Sequence, residues 1–249
     1  MTSIYHGISP TPSANALYFA IAYLQRYAVT TTLMEHHPDL ICLTCWLLAV
    51  KASEAKVPLH CLVAVAQRQP HTPLAQLAAK DVEDQVRQLE SSLAQKLNYE
   101  FYVSLPSRAM RAILIELQGV TDPAPPAVDD EKSIMAALLN LWASPAQLQM
   151  APVQLCLAAL GRVRGVAAVA AYLQRVQPEA SSEALARAEA IAKKVEAAAG
   201  TPPPDSDFMR LLDKVDKCLN PFLDPRTPEF ATLQKLKREK AKRSAEAAA

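Results

Sequence analysis

Apolar residues recur at three- and four-residue spacing along almost the whole chain, and no segment alternates strictly between apolar and polar positions. That period predicts an all-α fold. The clearest stripe runs from Asp81 to Leu97, where Val82, Val86, Leu89, Leu93 and Leu97 share one face while Asp84, Arg87, Gln88, Glu90 and Lys96 lie off it. Such a helix buries one side on a core and leaves the other in water. Leu40 to Val50 (LICLTCWLLAV) is instead apolar all round, which predicts a central helix enclosed by others. Further helical patterns cover Ser13 to Ala28, Leu59 to Gln67, Ser107 to Leu117, Asp130 to Trp142, Pro152 to Val163, Val166 to Arg175, Ser182 to Ala198 and Asp205 to Leu219, followed by a basic segment from Pro228 to Arg243.

Prolines punctuate this pattern. Pro38, Pro58, Pro106, Pro152 and Pro228 each stand where a helical stripe begins, the position at which a missing N–H leaves no intrahelical bond unmade. Gly119 to Asp130 (GVTDPAPPAVDD) holds three prolines and no stripe, so it reads as a linker between two groups of helices. Gly200 to Asp205 (GTPPPD) reads as a C-capping glycine followed by a stiff turn. The two groups echo one another, since LICLTCWLLAV and PVQLCLAALGRV are each the most apolar helix of their group, which hints at a duplicated five-helix unit.

Composition narrows the function classes. The 26 Lys plus Arg against 25 Asp plus Glu give a formal net charge of +1, so no global field draws the chain to nucleic acid or to an anionic membrane. Only 5 glycines occur, and no GxGxxG or GxxxxGK[ST] run is present to cradle phosphates. We find no nucleophile triad, paired carboxylates or HExxH, and expect no catalytic residue and no cofactor. The 5 cysteines, an odd number set among Leu, Ala and Val, suit reduced thiols. The N-terminus MTSIYHGISPTPS lacks the arrangement of a signal peptide, and Leu40 to Val50 stops short of a membrane span, so the expectation is a soluble intracellular protein with no membrane contact.

Tyr23 to Val57 reads YLQRYAVTTTLMEHHPDLICLTCWLLAVKASEAKV, and it resembles the heart of the first box of the cyclin family, specifically the H type. The likeness lies in the LMEHHP turn, the LTC of the buried helix and the VKASE that ends it. LAQKLNYEFYVSLP (Leu93 to Pro106) resembles the end of the fourth box helix and the approach to the fifth, and APVQLCLAAL (Ala151 to Leu160) the second helix of the second box. LLDKVDKCLNPFLDPRTPEFATLQKLKREK resembles the stretch where H-type cyclins leave the second box for a basic terminal helix.

The resemblance implies two consecutive five-helix cyclin boxes followed by a C-terminal helix. The expected division is a short extension at 1–12, a first, kinase-binding box at 13–118, a linker at 119–130, a second box at 131–220, and a basic helix and tail at 221–249. H-type cyclins carry an additional helix ahead of the first box where only residues 1–12 stand here, so a truncated or divergent form is expected.

The family uses a Lys at the end of its second box helix and a Glu in the fourth to hold main-chain groups of a kinase; these fall on Lys51 and Glu90. Charge-assisted hydrogen bonds of this kind fix a loop without requiring a particular partner side chain. From periodicity alone, Lys51 reads as a charge complementing a helix C-terminus and Glu90 as a solvated face charge. The resemblance also implies kinase contacts by Tyr99 and Phe101, with Met110, Ile113 and Leu114 completing an apolar docking surface and Glu54 on its polar rim. For the three helix residues ordinary core packing is the equal alternative.

The implied function is a non-catalytic regulatory subunit that binds and allosterically activates a cyclin-dependent kinase of the CDK-activating type. A third assembly subunit, the TFIIH core, a nuclear location, or nuclear and cytoplasmic, and roles in transcription and the cell cycle go with it. The alternatives are another transcriptional cyclin (C, K, L or T type) with a different kinase, or a TFIIB-like nucleic-acid-binding protein with cyclin repeats. Near-neutral charge and the lack of a zinc ribbon count against the last, and no direct nucleic-acid contact is expected.

Cys42 and Cys45 spell C-x-x-C, but no second pair of ligands completes a tetrahedral site and the motif lies inside an apolar helix. We read them as core thiols and expect no metal. His36 and His37, just before Pro38, suit helix entry better than ligation. The basic run KLKREKAKR (Lys235 to Arg243) could bind nucleic acid or act as a nuclear import signal, but Leu233 and Leu236 interleave with it and it reads better as an exposed helix face lying on the second box.

Overall fold

A computed structural model describes residues 14–31, 36–69, 72–118, 128–201 and 227–246, with isolated positions between 201 and 227. Within these residues the chain is helical: α1 (Ala14–Thr30), α2 (Pro38–Ala52), α3 (Leu59–Gln67), α4 (Ala79–Lys96), α5 (Pro106–Gln118), α6 (Val128–Trp142), α7 (Ala146–Gln149), α8 (Pro152–Arg164), α9 (Val166–Val176), α10 (Ala184–Ala199) and α11 (Pro228–Glu246). Short 3₁₀ turns, Pro73–Gln76 and Pro178–Glu183, precede α4 and α10. All five punctuating prolines stand where expected, with Pro38, Pro106, Pro152 and Pro228 opening their helices and Pro58 capping α3. The two 3₁₀ turns and the single turn of α7 are too short for a periodicity to reveal. Half of the LMEHHP turn and most of the 119–130 linker and of the Asp205 to Leu219 helix lie outside the described residues, as does Cys218.

The chain divides into two compact units, one holding α1–α4 and α11, the other α5–α10. The division falls between Phe101 and Tyr102, so α5, expected with the first group, joins the second. Its apolar face, Met110, Ile113, Leu114 and Leu117, is buried, and α5 packs on α8. An apolar stripe states that a helix must be covered, not which helix covers it.

In the first unit α2 is central, touching α1, α3 and α4, and an unbroken run from Leu43 to Val50 is buried. Each element of the sequence contributes to making this helix. Pro38 presets the first turn, and the Nδ1 of His37 accepts a hydrogen bond from the Asp39 N–H at 3.2 Å, satisfying one of the donors that every helix start leaves open. The buried Thr44 hydroxyl donates to the Leu40 carbonyl at 2.8 Å, so the polar group inside the apolar run has a partner. The hydroxyl of Thr72, on the connection ahead of α4, donates to the Asp39 carboxylate at 2.6 Å and ties that connection to the start of α2. Val82, Val86, Leu89 and Leu93 of α4 face inward as their spacing predicts.

In the second unit α8 takes the same central part, with Leu155 to Leu160 buried and α5, α6, α9 and α10 around it. Gln154 Oε1 accepts the Ala151 N–H at 3.2 Å, helping to close the helix start. Gly165 alone separates α8 from α9 and sits at φ +83°, a backbone conformation that a side chain would resist. Ion pairs Arg164–Asp130 (3.3 Å) and Arg175–Glu116 (2.6 Å) join helices on the surface of this unit.

Candidate functional site

Lys51 lies in the last turn of α2, a helix held rigid by burial along its length, and Glu90 lies at the edge of the α4 stripe beside the buried Leu89. Because α2 and α4 pack together, the two side chains meet: Lys51 Nζ donates to Glu90 Oε1. Lys51 is 57 % exposed and Glu90 23 %, so the pair stands at the surface, and by itself it contributes at most about 1 kcal/mol of stability. An ammonium has three donors and a carboxylate two acceptor oxygens. One bond between them therefore leaves capacity for both a carbonyl and an amide of another chain.

The pair rims an open cleft of about 360 Å³ lined by Leu47, Val50, Lys51, Ala55, Val57, Leu59, Arg87 and Glu90. Leu47, Val50 and Val57 form an apolar floor, while Arg87, Lys51 and Glu90 supply charge at the edge. The lining holds no Ser, Cys, His or second carboxylate. The chain turns sharply beside it: after α2 the Ser53 N–H bonds the Ala49 carbonyl and the Ala55 N–H bonds the Val50 carbonyl, with Glu54 between them at φ +55°. This is the six-to-one closure usually built with glycine.

The predicted site residues separate into groups. Lys51 and Glu90 are brought together, with Glu54 exposed three residues beyond Lys51. Tyr99 follows α4 and is 62 % exposed, and Phe101 is half-buried against Tyr23, ring centroids 5.9 Å apart and edge to face. Met110, Ile113 and Leu114 are different: they belong to the second unit and are 0 %, 2 % and 5 % exposed. They offer no free apolar surface, because the stripe they form is spent on the interior of that unit. Sequence reasoning missed the apolar lining of the cleft, Leu47, Val50, Ala55, Val57 and Leu59, and Arg87 on its rim. Each reads as core or as solvated charge on its own, and only the turn at Glu54 assembles them.

Burial keeps the thiols protonated. It pushes Cys42 up to about 11 and Cys156 to about 12, and raises Cys45 well above the ordinary thiol. Cys156 Sγ donates to the Pro106 carbonyl at 3.2 Å. Cys45 is a core thiol of α2 and Cys42 beside it is partly exposed, both free of any disulfide. Among the described residues no three His, Cys, Asp or Glu side chains cluster as metal ligands would, and no helix is long and apolar enough to cross a membrane. Lys235, Leu236, Glu239 and Lys240 of α11 are exposed, and α11 groups with the first unit rather than lying on the second box as expected.

Residues 12–102 match the family of the cyclin N-terminal domain. The chain is 30 % identical over 113 residues to cyclin-H of Xenopus laevis, a match covering 45 % of this chain and 33 % of that protein. It thus spans about a third of the length of this curated relative. Among solved structures, a chain in the CAK complex of Chaetomium thermophilum bound to ATP-gamma-S superposes with a TM-score of 0.61 at 19 % identity, covering 92 % of this chain and 72 % of that one. A chain of the yeast TFIIK (Kin28/Ccl1/Tfb3) complex gives 0.54 at 18 % identity, covering 73 % and 76 %. At such identities these two likenesses speak for the fold.

Proposed function

From the premise that this chain carries a cyclin N-terminal domain over residues 12–102 and is of the cyclin H type, we propose that it binds and allosterically activates a cyclin-dependent kinase of the CDK-activating type. The observation that carries the reading is the Lys51–Glu90 pair at the rim of an apolar cleft. Ala55 and Leu59, the partly exposed apolar residues of the cleft, would take an apolar face of the kinase's regulatory helix, and the spare donors and acceptor of the pair would hold the kinase main chain beside it. Glu54, exposed in the turn beside the cleft, would extend that surface, and Tyr99, exposed past the end of α4, would add a separate contact.

Activation then needs no reactive group from this chain. If the cleft fits the active arrangement of the kinase better than the inactive one, the equilibrium shifts by that difference in affinity, and about 5.5 kcal/mol suffices to move a kinase from 1 % to 99 % active. The solved complexes of similar chains, CAK and TFIIK, support a third assembly subunit, membership of the TFIIH kinase module, and nuclear work in transcription and cell-cycle control. Co-expression with candidate cyclin-dependent kinases of the same cell tests the reading through complex retention and kinase activity. The reading fails if no kinase is retained, or if retention is indifferent to Lys51→Ala combined with Glu90→Ala.

A further inference from the structure

The segment after α4 holds an unusual backbone. Asn98 and Tyr99 both lie in the left-handed region, at φ +53° and +56°, without a glycine in either place. Local bonds close the helix end: the Asn98 N–H to the Gln95 carbonyl, the Tyr99 N–H to the Ala94 carbonyl and the Glu100 N–H to the Leu97 carbonyl, at 2.9, 2.9 and 3.0 Å. A bulky residue persists in this conformation only where its surroundings over-determine it.

The surroundings come from α1. Tyr23, fully buried, donates its hydroxyl to the Phe101 carbonyl at 2.7 Å and sets its ring edge to face with that of Phe101. Phe19, one turn earlier, stacks on the Tyr23 ring, centroids 6.1 Å apart and nearly parallel. Arg26 donates to the Glu100 carbonyl at 3.1 Å. Two side chains on one face of α1 therefore grip consecutive carbonyls, and the outcome of the grip is a Tyr99 side chain turned out to solvent. Both grips address main-chain oxygens, so they fix the path of the chain whatever residues stand at 100 and 101. Burial, opposed by Arg26 and aided by Cys45, raises the Tyr23 phenol to about 12, which keeps it a donor throughout the physiological range.

We propose that Tyr23 and Arg26 are positioning residues: by clamping the Glu100 and Phe101 carbonyls they preorganise the Asn98–Phe101 turn and present Tyr99 to the partner kinase. The kinase part of this inference rests on the proposed function; the clamp itself does not. Preorganisation lowers the ordering cost that a mobile loop would add at the moment of binding.

The test uses the full chain with Tyr23→Phe, which keeps the ring and deletes the donor, and Arg26→Gln, at a solvated position. In the free protein, amide hydrogen exchange at Tyr99 and Glu100 should rise at least tenfold in either variant while the amides of α2 stay as they were. With the kinase retained on co-expression, affinity should fall severalfold in each variant, and should fall no further when Tyr99→Ala is already present. Unchanged exchange at Tyr99 and Glu100 overturns the clamp. So does an undiminished effect on affinity in the Tyr99→Ala background, which a general loss of packing would give. Lys51→Ala with Glu90→Ala is the parallel control: its failure to weaken retention defeats the kinase reading, and the exchange measurement then judges the clamp alone.

Discussion

Lys51 and Glu90, 39 residues apart in sequence, are joined by an ion pair that bridges the end of α2 and the middle of α4. The bridge spans the edge of a cleft and is itself solvated, so its weight lies in what it offers outward. Replacing either residue by Ala should change folding stability by less than about 1 kcal/mol. Loss of a charge-assisted bond to a kinase main-chain group should cost about 1.5–3 kcal/mol of binding, roughly ten- to a hundredfold in Kd. Urea unfolding and a titration with the kinase would separate the two quantities.

Glu54 turns the chain at φ +55° beside the cleft. A residue with a Cβ pays about 1–2 kcal/mol in that conformation, whereas glycine enters it freely and loses somewhat more chain entropy on folding. Glu54→Gly should therefore stabilise the free protein by up to about 1 kcal/mol, read as a higher urea midpoint at an unchanged slope. If the Glu54 side chain serves the polar rim, the same variant should bind the kinase more weakly despite its greater stability.

Leu93 on α4 is fully buried in the first unit. Leu93→Ala removes apolar contact and leaves a cavity, so a loss of about 2–5 kcal/mol is expected. Arg87→Ala on the same helix, at the rim of the cleft, should stay within about 0.5 kcal/mol. The contrast by chemical denaturation measures how far α4 is anchored by its stripe alone.

Alkaline pH should destabilise the fold through its thiols. Cys42 rises from the ordinary 9.0 to about 11 because burial disfavours the thiolate, with a smaller rise from Asp39. The folded state then holds its proton where the unfolded chain has lost it. The stability this contributes is complete below pH 9 and is lost as pH rises to about 11. The urea midpoint should fall across that window, and Cys42→Ala should flatten the fall. A thiol-reactive probe at pH 7 should label the buried Cys45 only at the rate at which the unit opens.

Much of the fold is written locally. The α4 stripe at Val82, Val86, Leu89 and Leu93, the all-apolar run of α2 and the five prolines at helix starts each need only the 3.6-residue period and the chemistry of a helix N-terminus. Lys51 and Glu90 were singled out as candidate site residues by resemblance alone, since their charges look like ordinary surface charges. Met110, Ile113 and Leu114 show the limit, because burial and docking leave the same apolar letters in a sequence.

The sequence by itself determined which stretches are helices, where they start and which face of each must be covered, because these follow from interactions within a few residues. Only the tertiary structure decided what covers each face. Packing of α2 on α4 brought Lys51 to Glu90, the turn at Glu54 opened the cleft, α5 went to α8, and Tyr23 and Arg26 reached the carbonyls after α4. Those choices depend on shape complementarity between surfaces distant in the chain, which no local period encodes.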